Sequence, residues 1–175
     1  MKDKRIPGGL VVIFEGIDGV GKTTQLQLAS ETLQAEGWQI HATRSHGGTP
    51  IGEQLREVSL GRLHRPPATD LYISRAIHEA LREELTDWRR NGDIILIDRG
   101  PLSLAAYQIY GDGVDPEIGW REVETDILRF NAELLLTYTA PVDIALGRAK
   151  LRSRLKPIIL KANPLITLKK LVEGF

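Results

Sequence analysis

Apolar and polar positions along this chain follow two rhythms. Short strand-like runs occur at Leu10–Phe14, Gln39–Thr43, Ile94–Ile97 and Leu134–Tyr138. Longer, interleaved stretches predict helices over Lys22–Glu36, Ile51–Leu60, Thr69–Asn91, Leu102–Tyr110, Glu117–Asn131, Val142–Leu155 and Leu165–Glu173. Gly37 and Gly92 stand where helix C-caps belong. Strands alternating with helices predict an α/β domain, with a parallel sheet covered on both faces. No internal repeat or low-complexity linker interrupts the pattern, and His64-Arg65-Pro66-Pro67 reads as a surface turn. Residues 1–175 are therefore expected to form one domain.

The segment joining the first strand to the first helix carries the chemistry. Gly16, Ile17, Asp18, Gly19, Val20, Gly21, Lys22, Thr23 and Thr24 form the pattern Gly-x4-Gly-Lys-Thr of a phosphate-binding loop. The glycines let the backbone curl until several amides point at one oxyanion. The helix opening at Lys22 adds the positive end of its dipole. Lys22 is expected to reach β- and γ-phosphates, and the Thr23 hydroxyl to hold Mg2+. A glycine-rich turn with a chance lysine is the bland alternative. It does not explain the strand before the loop or the helix after it.

Bulk composition narrows the classes. The hydrophobic share of 42% in 175 residues suffices for a real core. Lys+Arg and Asp+Glu both total 23, so no whole-surface field draws the chain to nucleic acid. With no cysteine, disulfides and thiolate chemistry are excluded. No apolar signal core stands in residues 1–9 and no apolar run is long enough to span a membrane, so a soluble cytoplasmic protein is the default. Between Asp143 and Glu173 there are eight bases and no acid. Two readings stand: a solvated basic face, or a basic flap over a nucleotide's phosphates, with Arg148, Arg152 and Arg154 in a lid-like segment at about 148–162. No aromatics interleave these bases, which speaks against nucleic-acid binding.

A second strand completes the Mg-nucleotide pattern. Ile94-Ile95-Leu96-Ile97 ends in Asp98, a carboxylate placed to hold Mg2+ directly or through water. Arg99 follows, a group that binds phosphate and does not activate water. No Asn-Lys-x-Asp base-reading motif of a GTPase is present. A kinase with an anionic acceptor is favoured.

Three segments now converge. Phe14-Glu15-Gly16-Ile17-Asp18-Gly19-x-Gly21-Lys22-Thr23-Thr24-Gln25, Arg44-Ser45-His46-Gly47-Gly48-Thr49-Pro50, and Asp98-Arg99-x3-Ser103-x2-Ala106-Tyr107-Gln108 resemble motifs of the bacterial thymidylate kinase family. Arg75-x-x-His78 resembles its arginine–histidine helix in part. The resemblance covers roughly residues 8–155. It implies the three-layer phosphate-loop NTPase fold, with ATP and Mg2+ as cofactors and dTMP as acceptor. It also implies a homodimer, with neither nucleic acid nor membrane as partner. It places Asp18 near the acceptor's sugar and phosphate, Arg44, Arg75 and Arg99 around the acceptor nucleotide, and Tyr107 and Gln108 at the deoxyribose and base. Lys22, Arg99 and Asp18 are the implied catalytic residues.

The chain also departs from the family. Leu71 stands where an aromatic stacks on thymine, and Leu104 where a polar residue meets the base edge. Ser45-His46 replaces a Glu-Pro pair, and Ser74 an aspartate. Loose discrimination among bases is therefore expected. About four strands are predicted, the family's fifth strand and adenine-side loop having no counterpart. A fragment, a degenerate paralogue and a protein that borrows a partner's edge all fit that difference. Two alternatives to a dTMP kinase stay open: a non-catalytic nucleotide-binding protein, and a kinase for another phosphorylated acceptor.

Overall fold

The computed structural model describes residues 3–61 and 63–152. Its elements are β1 (Leu10–Glu15), α1 (Lys22–Ala35), β2 (Ile40–Arg44), α2 (Pro50–Leu60), α3 (Pro67–Arg90), β3 (Ile94–Asp98), α4 (Pro101–Leu104, continuing into a π-helical turn, Ala105–Ile109), α5 (Pro116–Phe130), β4 (Leu134–Thr137) and α6 (Val142–Arg152). The four strands form a parallel sheet in the order β2-β3-β1-β4. This is the order expected from right-handed crossovers in a phosphate-loop fold, with β1 and β3 side by side. No further strand pairs with β4 among the described residues. The helix expected at Leu165–Glu173 lies outside them, as does Arg154.

The pleat of β1 divides the core in two. Leu10, Val12 and Phe14 pack with Leu26, Ala29 and Leu33 of α1. Val11 and Ile13 turn to the other face, against Leu81 and Leu85 of α3 and Phe130 at the end of α5. All six residues of β1 are buried, as a central parallel strand covered by two helix layers requires. A third cluster, Leu71, Leu104, Ala105, Ile109, Val114 and Val123, joins α3 to the α4 segment and α5.

One expected element differs in kind. The sequence predicts a plain helix over Leu102–Tyr110. The structure starts it at Pro101 and changes it to a π-helical turn at Ala105. The wider turn carries Tyr107 and Gln108, and π-turns concentrate at functional sites.

Candidate functional site

The phosphate loop runs from the end of β1 to the N-terminus of α1. Gly19 and Gly21 have φ of 85° and 103°, in the left-handed region that favours glycine. At Gly19 space is also limiting, since a Cβ there would overlap the carbonyl oxygen of Ala145 in α6. Lys22 is buried and its Nζ donates to the Ile17 carbonyl at 3.0 Å, folded across the loop. Burial, then the charge of Arg99, holds its ammonium below the usual lysine range.

Thr23 and Asp98 meet where the two motifs converge. Thr23 Oγ1 donates to Asp98 Oδ2 at 2.5 Å, and Asp98 Oδ1 is buried without a hydrogen-bond partner. One hydroxyl and one carboxylate with a spare buried oxygen suit Mg2+, which keeps waters and shares phosphate oxygens. No cluster of three acidic, histidine or cysteine ligands that would make an all-protein metal cage exists among the described residues. Thr23 and Asp98 are thus a fitting pair of protein ligands for a nucleotide-borne Mg2+. Beside them lies a groove of about 530 Å³, also lined by Arg44, Arg56 and Arg99.

A second cavity, of about 490 Å³, opens on the other side of Arg99. Asp18, Arg99, Leu104, Tyr107 and Gln108 all line it. Arg99 has φ 74°, a left-handed conformation that costs about 1–3 kcal/mol in a non-glycine residue. Its backbone is held by an N–H bond to Phe14 O, 2.9 Å. Its guanidinium pairs with Asp18 at 2.5 Å and lies over the Tyr107 ring, 5.4 Å from the centroid. The cation therefore stands between groove and cavity.

Other expected site residues lie elsewhere. Leu71 is sealed in the third core cluster at 1% exposure and does not line the cavity, and its neighbour Tyr72 is exposed. Arg75 does not line the cavity either. It pairs with Glu122 at 2.7 Å and with Asp126. Arg44 lines the groove, not the cavity, and pairs with Glu53. Arg148 is half-buried on α6, and Arg152 closes that helix.

Several residues shape the site without an obvious sequence signal. Glu15, buried at the end of β1, accepts from Leu102 N (3.0 Å), Ser103 N (3.2 Å) and Ser103 Oγ (2.7 Å), so it fixes the first turn of α4. Ser45, His78 and Asp126 form a buried chain. His78 Nε2 lies 2.6 Å from Ser45 Oγ, and its Nδ1 lies 2.6 Å from Asp126 Oδ2. Burial, with His46 and Arg75 nearby, lowers the His78 pKa to about 3, so the ring is neutral at physiological pH. His46, in the cavity wall with φ 74°, is lowered by burial and by Arg56 and Arg99. An acid closing an apolar strand was the one legible hint, at Glu15. The others depend on partners far off in the chain.

A phosphate loop, a Thr–Asp pair suited to Mg2+ and a neighbouring cavity entered past an arginine define the phosphate-loop nucleotide-binding class. A family model described as thymidylate kinase matches residues 14–170. The thymidylate kinase of Pelotomaculum thermopropionicum is 40% identical over 113 residues, covering 63% of this chain and 52% of that protein. The thymidylate kinase of Citrifermentans bemidjiense is 34% identical over 148 residues, covering 82% of this chain and 65% of that protein. A crystal structure of thymidylate kinase from Ehrlichia chaffeensis superposes with a TM-score of 0.67 at 26% identity, covering 82% of this chain and 83% of that one. The chain belongs to the thymidylate kinase family. It spans between about half and two thirds of the length of the first two relatives.

Proposed function

We propose that this protein is a nucleoside-monophosphate kinase that transfers the γ-phosphate of ATP to dTMP. The observation that carries this reading is Arg99, placed between the Thr23–Asp98 pair and a cavity large enough for a nucleotide. Lys22, Thr23 and the loop amides bind the donor phosphates, and Thr23 and Asp98 hold the Mg2+. When bound, that ion screens the charge between donor and acceptor phosphates. Arg99 takes the acceptor phosphate, exchanging Asp18 for it. Asp18, Tyr107 and Gln108 bound the sugar and base.

The transfer requires no protein base. A phosphate monoester has a second pKa near ~6 and is a competent nucleophile at neutral pH. An acceptor phosphate oxygen bonds to the γ-phosphorus, and the bond from that phosphorus to the β–γ bridging oxygen breaks. ATP and dTMP become ADP and dTDP. Lys22 and Arg99 hold the two anions in line and neutralise the charge that moves between them.

We read residues 1–175 as a single kinase domain with the basic segment at about 148–162 as its lid, part of which lies outside the described residues. We read the enzyme as cytoplasmic by family resemblance; no described helix is long and apolar enough to cross a membrane. Family membership supports a homodimer. A coupled ADP-release assay with a panel of nucleoside monophosphates tests the proposal. Turnover with dTMP well above the no-acceptor rate is the expected result, and ATP binding without acceptor-dependent release would overturn it.

A further inference from the structure

The second cavity is lined by two chemically distinct groups. Arg99, Asp18 and Ser103 form the first. Asp112 lies in the turn that follows Ala105–Ile109 and lines the same cavity. Arg65 and Asp70 also line the cavity, and both act electrostatically on Asp112. Arg65, Asp70 and Asp112 form the second.

Arg65 is held there in an unusual state. Its Nε donates to Asp70 Oδ1 at 2.7 Å and its Nη2 to the Ser59 carbonyl at 2.6 Å, so two of its three nitrogens are engaged. Its Nη1 is buried with no acceptor. A buried donor of this kind is costly to leave unpaired, so the group calls for an oxygen from outside the chain. Asp112 is the converse. Its backbone N–H donates to the Tyr107 carbonyl at 2.8 Å, but its carboxylate has no hydrogen-bond or ion-pair partner among the described residues. One spare donor and one spare acceptor thus line the same cavity as Arg99. Leu71 and Arg75, expected at the base, are engaged elsewhere.

We propose that Arg65 and Asp112 read the base of the acceptor nucleotide as a donor–acceptor pair matched to an imide edge. The Arg65 N–H meets a ring carbonyl, after a small rotation of the side chain, and the Asp112 carboxylate accepts the adjacent ring N–H. Thymine and uracil present that edge. Cytosine presents the reverse, an amino donor beside an unprotonated ring nitrogen. The inference rests on the reading of this cavity as the acceptor site.

Equilibrium calorimetry of the full chain with dTMP, dUMP and dCMP tests it without depending on turnover. The unmodified protein is expected to bind dTMP and dUMP at least about tenfold more tightly than dCMP, the discrimination one such contact gives. Asp112→Asn turns the acceptor partly into a donor, and the dTMP:dCMP ratio is expected to fall about tenfold. Asp112 is exposed and its bond to Tyr107 is made by the backbone, so this variant should fold. Arg65→Met is expected to weaken dTMP and dUMP about tenfold while sparing dCMP. Arg65→Lys, which keeps the charge beside Asp70, stands in if that variant does not fold. An unchanged dTMP:dCMP ratio in Asp112→Asn, or equal affinity of the unmodified protein for dTMP and dCMP, overturns the inference. If dTMP is phosphorylated and neither variant alters the ratio, only this inference falls. If no monophosphate binds, the acceptor-site reading falls with it.

Discussion

Removing the Glu15 carboxylate is expected to destabilise the protein and loosen its acceptor site together. Glu15 is 2% exposed and receives three hydrogen bonds from the first turn of α4. Glu15→Ala leaves the Leu102 N–H and the Ser103 hydroxyl without their acceptor, and the Ser103 N–H with the Gly100 carbonyl at 3.0 Å. Each unmet buried donor costs about 1–3 kcal/mol, and partial access to water and relaxation reduce the sum. A loss of about 3–4 kcal/mol follows. At roughly 2–4 °C per kcal/mol for a domain of this size, Tm falls by about 10 °C. Glu15→Gln is expected to cost only about 1 kcal/mol. Its amide oxygen keeps the two backbone donors, and its NH2 meets a Ser103 hydroxyl that reverses from donor to acceptor. Urea denaturation followed by circular dichroism gives both values at constant m. The same α4 segment carries Tyr107 and Gln108, so the alanine variant should also raise KM for the acceptor more than KM for ATP. A Glu15→Ala variant within about 1 kcal/mol of the parent, or equal effects of Ala and Gln, would refute the role given to this carboxylate.

Three further outcomes are expected. Lys22→Ala should abolish ATP binding without unfolding the protein, whereas Arg99→Ala should weaken the acceptor far more than ATP; isothermal titration of each ligand separates the two. His78 is neutral when folded, with a pKa of about 3 against about 6.5 unfolded, so the unfolded chain binds the extra proton. Its contribution to stability is complete above about pH 6.5 and is lost at about 1.4 kcal/mol per pH unit down to about pH 3. Relative to His78→Asn, the parent's stability should therefore fall more steeply with acid by about one proton; parallel curves would contradict this. Leu71→Phe should not build a stacking platform. It should overpack the third core cluster and cost about 1–3 kcal/mol by urea denaturation, with no gain in kcat/KM for dTMP.

The phosphate loop and the Asp98-Arg99 strand end were legible because the residues that make them are adjacent in the chain. The parallel, helix-covered sheet followed from the alternation of strands and helices. The family resemblance placed Leu71 at the base, but the face of α3 that it occupies is set by Leu104, Ile109 and Val123. Arg75 was assigned to the acceptor, yet Glu122 and Asp126, some fifty residues away, hold it in the α3–α5 interface. No local signal marks such a long-range pair. The π-helical turn at Ala105–Ile109 is equally silent, because residues that suit a π-turn suit an α-helix as well. Arg65 lay in a segment read as a surface turn, and only the fold brings it to the cavity beside Asp112.

Phosphorus NMR of the purified chain with ATP, Mg2+ and dTMP observes the proposed phosphoryl transfer directly. The γ-phosphorus signal of ATP is expected to decline as the β-phosphorus signal of dTDP rises in equal amount, with Lys22→Ala inactive. An unchanged ATP spectrum, or conversion of the γ-phosphate to inorganic phosphate with no dTDP, would contradict it.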